Sequence, residues 1–360
     1  MSAVSSSATA PDLPPRTREG VPAGEWERAV AAIGNAGEVC LACHVHPDGD
    51  ALGSMLAVAH ALSVRWPRAR AKVVVVSFGD DPPYVPGNLR FLPGVELLTR
   101  PRDYPVEPEV MITFDASSRA RLGLLAPNAA RAGELIVVDH HPSNTSFGTI
   151  HLVDPAAAAT AVLACGLIDR LGLTLNKAMA LGLYAGLVTD TGSFKHASTT
   201  PSVHYLAARL LKTGIEPAAA ARELWDRAPF GYLRVLSAVL DRAVLEPRQA
   251  GGRGVVWTTV SRADRDPHGL AYDAVEPVID VLRRTEEAEV AVVFKEDDNG
   301  AWQVSARSKG TVDVGRVCVE LGGGGHRMAA GFTAPWPVEH ALQRLRELLA
   351  DSGPAVESGR

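Results

Sequence analysis

From residue 38 to about 190 the chain alternates short, uniformly apolar runs with longer stretches of helical spacing. "EVCLACH", "AKVVVVS", "VMITFD" and "ELIVVDHH" are rich in β-branched residues and show no polar alternation, the pattern of strands buried on both faces. Between the first two, "DALGSMLAVAHALSVRW" sets Leu52, Met55, Leu56, Ala59 and Leu62 at helical spacing. Further helices are predicted over 158–172 and 176–188. Strands alternating with helices predict an α/β fold with a doubly wound, mainly parallel sheet. Residues 200–243 read as helical pieces broken at "TGIEP" and "RAPFG". From 251 a new alternation begins: a strand in "GVVWTTV", a helix around 273–284, strands in "AEVAVVFKE" and "AWQVSARS", and a helix over 312–321. The glycine block "GGGGH" follows, then a last helix over 337–350. The expected organisation is a tail over 1–22, a first domain over 23–200 and a helical connector over 201–250. A smaller α/β domain over 251–350 and a tail over 351–360 complete it.

Composition narrows the picture. Hydrophobic residues make up 46% of the 360 positions and charged residues 21%, ordinary values for a globular protein. No apolar run approaches the roughly 20 residues of a membrane span. The first 20 residues are rich in Ser, Pro and Ala and lack a hydrophobic core, so they read as a tail rather than a signal peptide, and a cytoplasmic location is expected. The net charge of −5 argues against a protein that grips long DNA or RNA by its phosphates. It leaves room for a small phosphorylated substrate in a local positive pocket. Cys40 and Cys43 form a C-x-x-C, but inside a strand, where positions three apart face opposite sides. They are expected in the core.

The chemistry gathers at strand ends, where ligands bind in open parallel sheets. The first strand runs into "HVHPDGD", which carries His44, His46, Asp48 and Asp50. "VMITFD" ends on Asp115, "ELIVVDHH" on Asp139, His140 and His141, and the helix "ALGLYAGLVTD" on Asp190. Any one of these has a structural explanation; Asp50, for example, could cap the helix that follows it. Together they would repel one another unless cations neutralised them. Oxygen-rich sites with one or two imidazoles and no thiolate suit Mn²⁺, less firmly Mg²⁺, Fe²⁺ or Co²⁺. There are too many ligands for one ion, which points to a bridged pair.

These motifs, "HVHPDGD", the Asp115 of "TFDASSRARLG", "VVDHHPSN" and "GLVTDTGSF", resemble the four motifs of the DHH phosphoesterase superfamily. "VSARSK" and "ELGGGGHRMAAGF" are similar to its DHHA1 substrate-binding module. Chain length and the glycine-His motif look most like the nanoRNase / pAp phosphatase branch, which includes actinobacterial cyclic di-AMP and pApA phosphodiesterases. The resemblance implies that His44 and Asp48 hold one metal, that Asp50, His140 and Asp190 hold the other, and that Asp115 bridges them. It implies an orienting role for Asp139, a phosphate-facing role for His141 and a substrate-side role for Asn144. His46 falls at a variable motif position and is left out.

The implied activity is hydrolysis of short nucleotide substrates by a metal-activated hydroxide, without a covalent enzyme intermediate. pApA, cyclic di-AMP and short oligoribonucleotides would give 5′-mononucleotides, and pAp would give AMP. Two divalent ions are the implied cofactors, Mn²⁺ ahead of Mg²⁺ or Co²⁺. In the second domain Gly323, Gly324, Gly325 and His326 are expected to form a phosphate-binding nest, with Arg307 and Ser308 beside it. Two other readings compete: an inorganic pyrophosphatase or exopolyphosphatase of the same superfamily, and a non-catalytic nucleotide sensor. A homodimer, no long-DNA binding and no membrane association are also expected.

Overall fold

The computed structural model describes residues 20–66 and 73–351. The two terminal tails expected from the sequence lie almost wholly outside those residues. The chain divides into two compact units. Unit 1 takes in most of the chain up to Pro217; unit 2 takes in Ala218 onward together with Val85–Phe91 and His141–Thr145.

Unit 1 opens with α1 (Ala23–Asn35), β1 (Glu38–Cys43), α2 (Gly49–Arg65), β2 (Val73–Phe78) and β3 (Val110–Phe114). It continues through α3 (Ala126–Arg131), β4 (Glu134–Asp139), β5 (Ile150–Val153), α4 (Thr160–Arg170), α5 (Lys177–Asp190) and α6 (Pro201–Leu211). Its sheet is parallel throughout, in the order β2-β1-β3-β4-β5. The order reverses direction between β1 and β3, so the crevice beyond their carboxyl ends is the switch point where such sheets bind ligands. The four apolar runs form β1 to β4. β5, from "IHLV", was not anticipated because four residues, one of them a histidine, make too short an apolar pattern. Val39, Leu41 and Ile112 are fully buried, as strands covered by helices on both faces must be. Cys40, Cys43 and Cys165 are buried free thiols. Burial pushes the Cys165 thiol up to about 11, so it stays protonated and serves as packing.

The closest helix pair is α2 with α5, and small residues permit it. A methyl group on Gly53 would lie 2.3 Å from the Gly182 carbonyl oxygen, and one on Gly182 would lie 2.6 Å from that of Gly53. Backbone therefore meets backbone, with Gly49 close to Thr189 further along the same antiparallel seam. α2 carries Asp50 and α5 carries Asp190, so this seam fixes how near the two carboxylates come.

Unit 2 holds most of α7 (Pro217–Leu224), then α8 (Phe230–Asp241), β6 (Val244–Glu246), the single turn α9 (Gln249–Gly252), β7 (Val255–Val260) and the single turn α10 (Arg262–Arg265). α11 (Val278–Leu282), β8 (Val290–Glu296), β9 (Trp302–Ser308), α12 (Val314–Glu320), β10 (Gly324–His326), β11 (Ala329–Ala334) and α13 (Val338–Asp351) complete it. Its sheet runs β10-β11-β9-β8-β7-β6, with only the β7–β8 pair parallel. One core packs Val292, Phe294, Phe332 and Leu345; another packs Val235, Val239, Ile279 and Val293. The helix expected around 273–284 is shorter than predicted, because Pro277 separates a 3₁₀ turn from α11. Within the glycine run, Gly324–His326 is a strand, paired antiparallel with β11. Among the described residues no helix is long and apolar enough to cross a membrane.

Candidate metal centre

β1 ends at Cys43, and its last turn outward places His44 over the carboxyl edge of the sheet, 4% exposed. β3 delivers Asp115 at the neighbouring edge, 3% exposed. The imidazole Nε2 of His44 lies 3.6 Å from Asp115 Oδ2 and 4.0 Å from Asp48 Oδ2. On the other side of Asp115, His140 Nε2 lies 3.5 Å from Asp115 Oδ1, 3.9 Å from Asp50 Oδ2 and 2.9 Å from Asp190 Oδ2. Two three-residue donor groups result, His44–Asp48–Asp115 and Asp50–Asp115–His140, in each of which the ligand atoms all lie within 4.8 Å of one another. Asp115 belongs to both.

Both imidazoles are aimed by backbone carbonyls. His44 Nδ1 sits 2.8 Å from the Val45 oxygen and His140 Nδ1 sits 3.2 Å from the Ala157 oxygen. With Nδ1 donating, Nε2 keeps its lone pair toward the carboxylates, the arrangement of metal-binding histidines. The Ala157 carbonyl thus orients His140. Asp139 is fully buried at the end of β4.

Asp50 has a second structural task, and not the expected one. The cap of α2 is Asp48, whose Oδ1 accepts from the amides of Asp50 and Ala51, each at 3.0 Å. Asp50, fully buried, instead accepts from the amides of Thr160 and Ala161 at the start of α4, the latter at 2.8 Å. Ala159 has no side-chain acceptor for those amides, so a carboxylate 110 residues earlier caps the helix. Thr160 also donates its hydroxyl to Asp115 Oδ1 at 2.8 Å. Sequence reasoning missed Thr160, since a threonine opening a helix after "DPAAAA" carries no signal of its own.

The electrostatics show what this geometry costs. Burial first, then the charges of Asp115 and Asp190, hold the Asp50 carboxyl well above the usual carboxylate range. Burial likewise lifts Asp190 to about 6 despite its hydrogen bond to His140. For His140 burial opposes the charge, but Asp190, Asp115 and Asp50 outweigh it and raise its proton affinity. Backbone strain gathers here too. Of six non-glycine residues with positive φ among the described residues, His46, Asp115, Ser193 and Phe194 lie at or within four positions of candidate ligands. Four carboxylates and two imidazoles, with Asp50, Asp115 and both imidazoles buried, Asp190 partly buried and Asp48 at the exposed rim, repel when empty of protons and fit a pair of divalent cations.

The model of the DHH family, N-terminal domain, matches residues 38–187, and that of the DHHA1 domain matches residues 254–351. The bifunctional oligoribonuclease and PAP phosphatase NrnA of Thermus thermophilus is 33% identical over 337 residues, covering 91% of this chain and 96% of its own. The chain belongs to the DHH family.

The probable bifunctional oligoribonuclease and PAP phosphatase NrnA of Streptococcus mutans is 27% identical, over 85% of this chain and 93% of its own. Among solved structures, an exopolyphosphatase-related protein from Bacteroides fragilis shares the fold at a TM-score of 0.80 and 23% identity, covering 91% and 96% of the two chains. The chain therefore carries the DHH domain followed by DHHA1, in the branch of relatives named for oligoribonuclease and PAP phosphatase activity.

The DHHA1 residues are placed as follows. Strand register sets His326 opposite Ala329 and Ala329 opposite Arg307, so His326 and Arg307 share one face of the sheet in one row. Gly323 is needed for packing: a methyl there would lie 2.1 Å from the Gly331 oxygen. Gly324 has open space around its Cβ position, and Gly325 has φ +131°. The Ser308 hydroxyl is buried, donating to Glu289 at 2.9 Å and accepting from the Gly310 amide at 3.0 Å. It braces the strand end. His141 and Asn144 fall in the short segment counted with unit 2, where the His141 ring stacks on His326 with centroids 4.4 Å apart.

Proposed function

We propose that this DHH protein is a two-metal phosphoesterase, with Mn²⁺ as its preferred ion, acting on short nucleotides. It hydrolyses pApA, cyclic di-AMP and short oligoribonucleotides to 5′-mononucleotides, and pAp to AMP. The observation that carries the reading is the sharing of Asp115 by two otherwise separate donor groups. Further support comes from relatives named for oligoribonuclease and PAP phosphatase activity, and from a 26% identical cyclic-di-AMP phosphodiesterase, GdpP of Geobacillus thermodenitrificans, of whose length this chain covers 48%.

In this reading His44, Asp48 and Asp115 hold one cation, and Asp50, Asp115, His140 and Asp190 hold the other. Two cations held there would supply an acidified water and neutralisation of the charge on the phosphoryl oxygens. The chain does the rest. Carbonyls of Val45 and Ala157 fix the two imidazoles. Thr160 holds one oxygen of Asp115 in place. His141 supplies a proton to the leaving oxygen. Arg307 and His326 engage a nucleotide phosphate from the row they share, with the open edge at Gly324 admitting it closely.

The test is direct: purified protein with Mn²⁺ is given pApA, cyclic di-AMP, pAp, pyrophosphate and a long single-stranded DNA in parallel. The expected result is AMP from the first three and no degradation of the DNA. Phosphate released from pyrophosphate alone would make the protein a pyrophosphatase. No turnover with any divalent metal would make it a sensor.

A further inference from the structure

Arg121 is an exposed arginine in the segment between β3 and α3, inside the stretch "TFDASSRARLG", and the ligand set gives it no role. Its backbone carbonyl accepts from the amide of Val45 at 2.9 Å, which ties the segment to the residue following His44. Its guanidinium Nη2 then comes within 3.1 Å of His44 Nδ1. That contact is chemically mismatched. If His44 ligates through Nε2, Nδ1 keeps its proton and directs it to the Val45 oxygen at 2.8 Å, so Nδ1 has no lone pair for Arg121. An N–H of a permanent cation faces an N–H of the ring. Among the described residues Arg121 makes no ion pair.

Electrostatics sharpen the mismatch. A guanidinium beside a centre that would hold two dications would be repelled by the loaded centre, and among the described residues no carboxylate lies within ion-pair distance of it. Both objections vanish when an anion lies against the metal side of His44. A tetrahedral phosphoryl group offers oxygens to the planar guanidinium fork while its others face the cations.

We propose that Arg121 is a phosphoryl clamp: it binds a non-bridging oxygen of the phosphate ester held at the metal centre and stabilises the charge gained in the transition state. This rests on the phosphoesterase reading for its chemistry, but its binding role can be measured without turnover. Three quantities are read on the wild type, Arg121→Ala and Arg121→Lys: Mn²⁺ affinity of the substrate-free protein, affinity of the Mn²⁺-loaded protein for inorganic phosphate, and kcat/KM on pAp. In Arg121→Ala, phosphate affinity should weaken about tenfold or more, as expected for loss of a charge-assisted hydrogen bond. kcat/KM should fall about 100-fold, the scale for removing one transition-state donor. Mn²⁺ affinity should stay within about threefold, and Arg121→Lys, which keeps the charge but loses the fork, should fall between the two. Because the side chain is exposed, melting temperatures should match.

The clamp is overturned if phosphate affinity is unchanged, if the wild type binds no phosphate, or if Mn²⁺ affinity falls in step with activity. The last result would make Arg121 a support for His44. A wild type that binds phosphate through Arg121 yet fails to hydrolyse pAp would overturn the phosphoesterase reading and leave the clamp standing.

Discussion

Asp115 is the residue on which the two donor groups converge, and it is held there at some cost. Its φ of +58° is a left-handed conformation rarely adopted by side chains other than glycine, asparagine and aspartate. Its amide still donates to the Val138 oxygen at 3.0 Å and one carboxylate oxygen takes the Thr160 hydroxyl, so both ends of the residue are fixed. Removing the carboxylate takes a ligand from both cations at once. Asp115→Ala should therefore abolish hydrolysis of pAp while the fold, judged by circular dichroism, persists. Near-normal activity would refute the bridging role. The nucleotide-holding role proposed for Arg307 belongs to the sheet of unit 2, where it shares a row with His326. Arg307→Ala should lower kcat/KM on pApA by about 100-fold, as for loss of a bidentate anion contact, yet scarcely change hydrolysis of bis-p-nitrophenyl phosphate. Equal losses on both esters would count against a nucleotide-holding role.

Among the elements, the α2–α5 pair decides whether the ligands meet. The two helices touch backbone to backbone at Gly53 and Gly182. A β-carbon at either place must push the helices apart or distort them, since the obstructing atoms are main-chain oxygens and not movable side-chain ends. Gly53→Ala should cost about 1–3 kcal/mol in stability, measured by urea unfolding, and should weaken Mn²⁺ binding because Asp50 and Asp190 move with their helices. A variant with wild-type stability and metal affinity would show that the seam does not set the carboxylate spacing. The same logic runs through α4, whose first amides depend on Asp50. The proposed metal ligand and the helix cap are one side chain, so site and scaffold cannot be varied independently there.

At the scale of the whole molecule, the buried carboxylates link metal binding to pH and to stability. Asp190 titrates near 6 in the folded, metal-free protein and near its ordinary value of 3.8 when unfolded. Between those values the folded state holds a proton that the unfolded chain lacks, so this group's contribution to stability falls as pH rises through about 6. His140, also raised, acts in the same direction: its contribution is present below its ordinary value and is lost as pH rises through its folded value. Cations replace those protons at higher pH. The rise in melting temperature produced by Mn²⁺ should therefore be larger at pH 8 than at pH 5, and binding near pH 5 should release protons, readable by titration calorimetry in buffers of different ionisation enthalpy. A Mn²⁺-induced rise independent of pH would contradict the proton–metal exchange.

Much of the protein was legible from local pattern. The four apolar runs, the helices between them and the acidic strand ends follow from periodicity and residue type, which act over a few residues. That carboxylates and imidazoles gather at one edge was legible too, because strand ends in a parallel sheet share that edge; the choice of six ligands among them came from the resemblance to the DHH motifs. Other features needed the third dimension. "GGGGH" looks like a loop because glycine has little intrinsic strand preference; it becomes an edge strand because β11 is there to pair with it and leaves no space for a Cβ at Gly323. Ser308 reads as a free hydroxyl until Glu289 is seen to hold it. Asp50 as cap of α4, Thr160 on Asp115 and Arg121 against His44 join residues 110, 45 and 77 positions apart. Sequence determined which side chains could do the chemistry, since that depends on composition and period. Only the tertiary structure decided which of them brace, cap and face one another, since those contacts are made across sequence separations that no local pattern encodes.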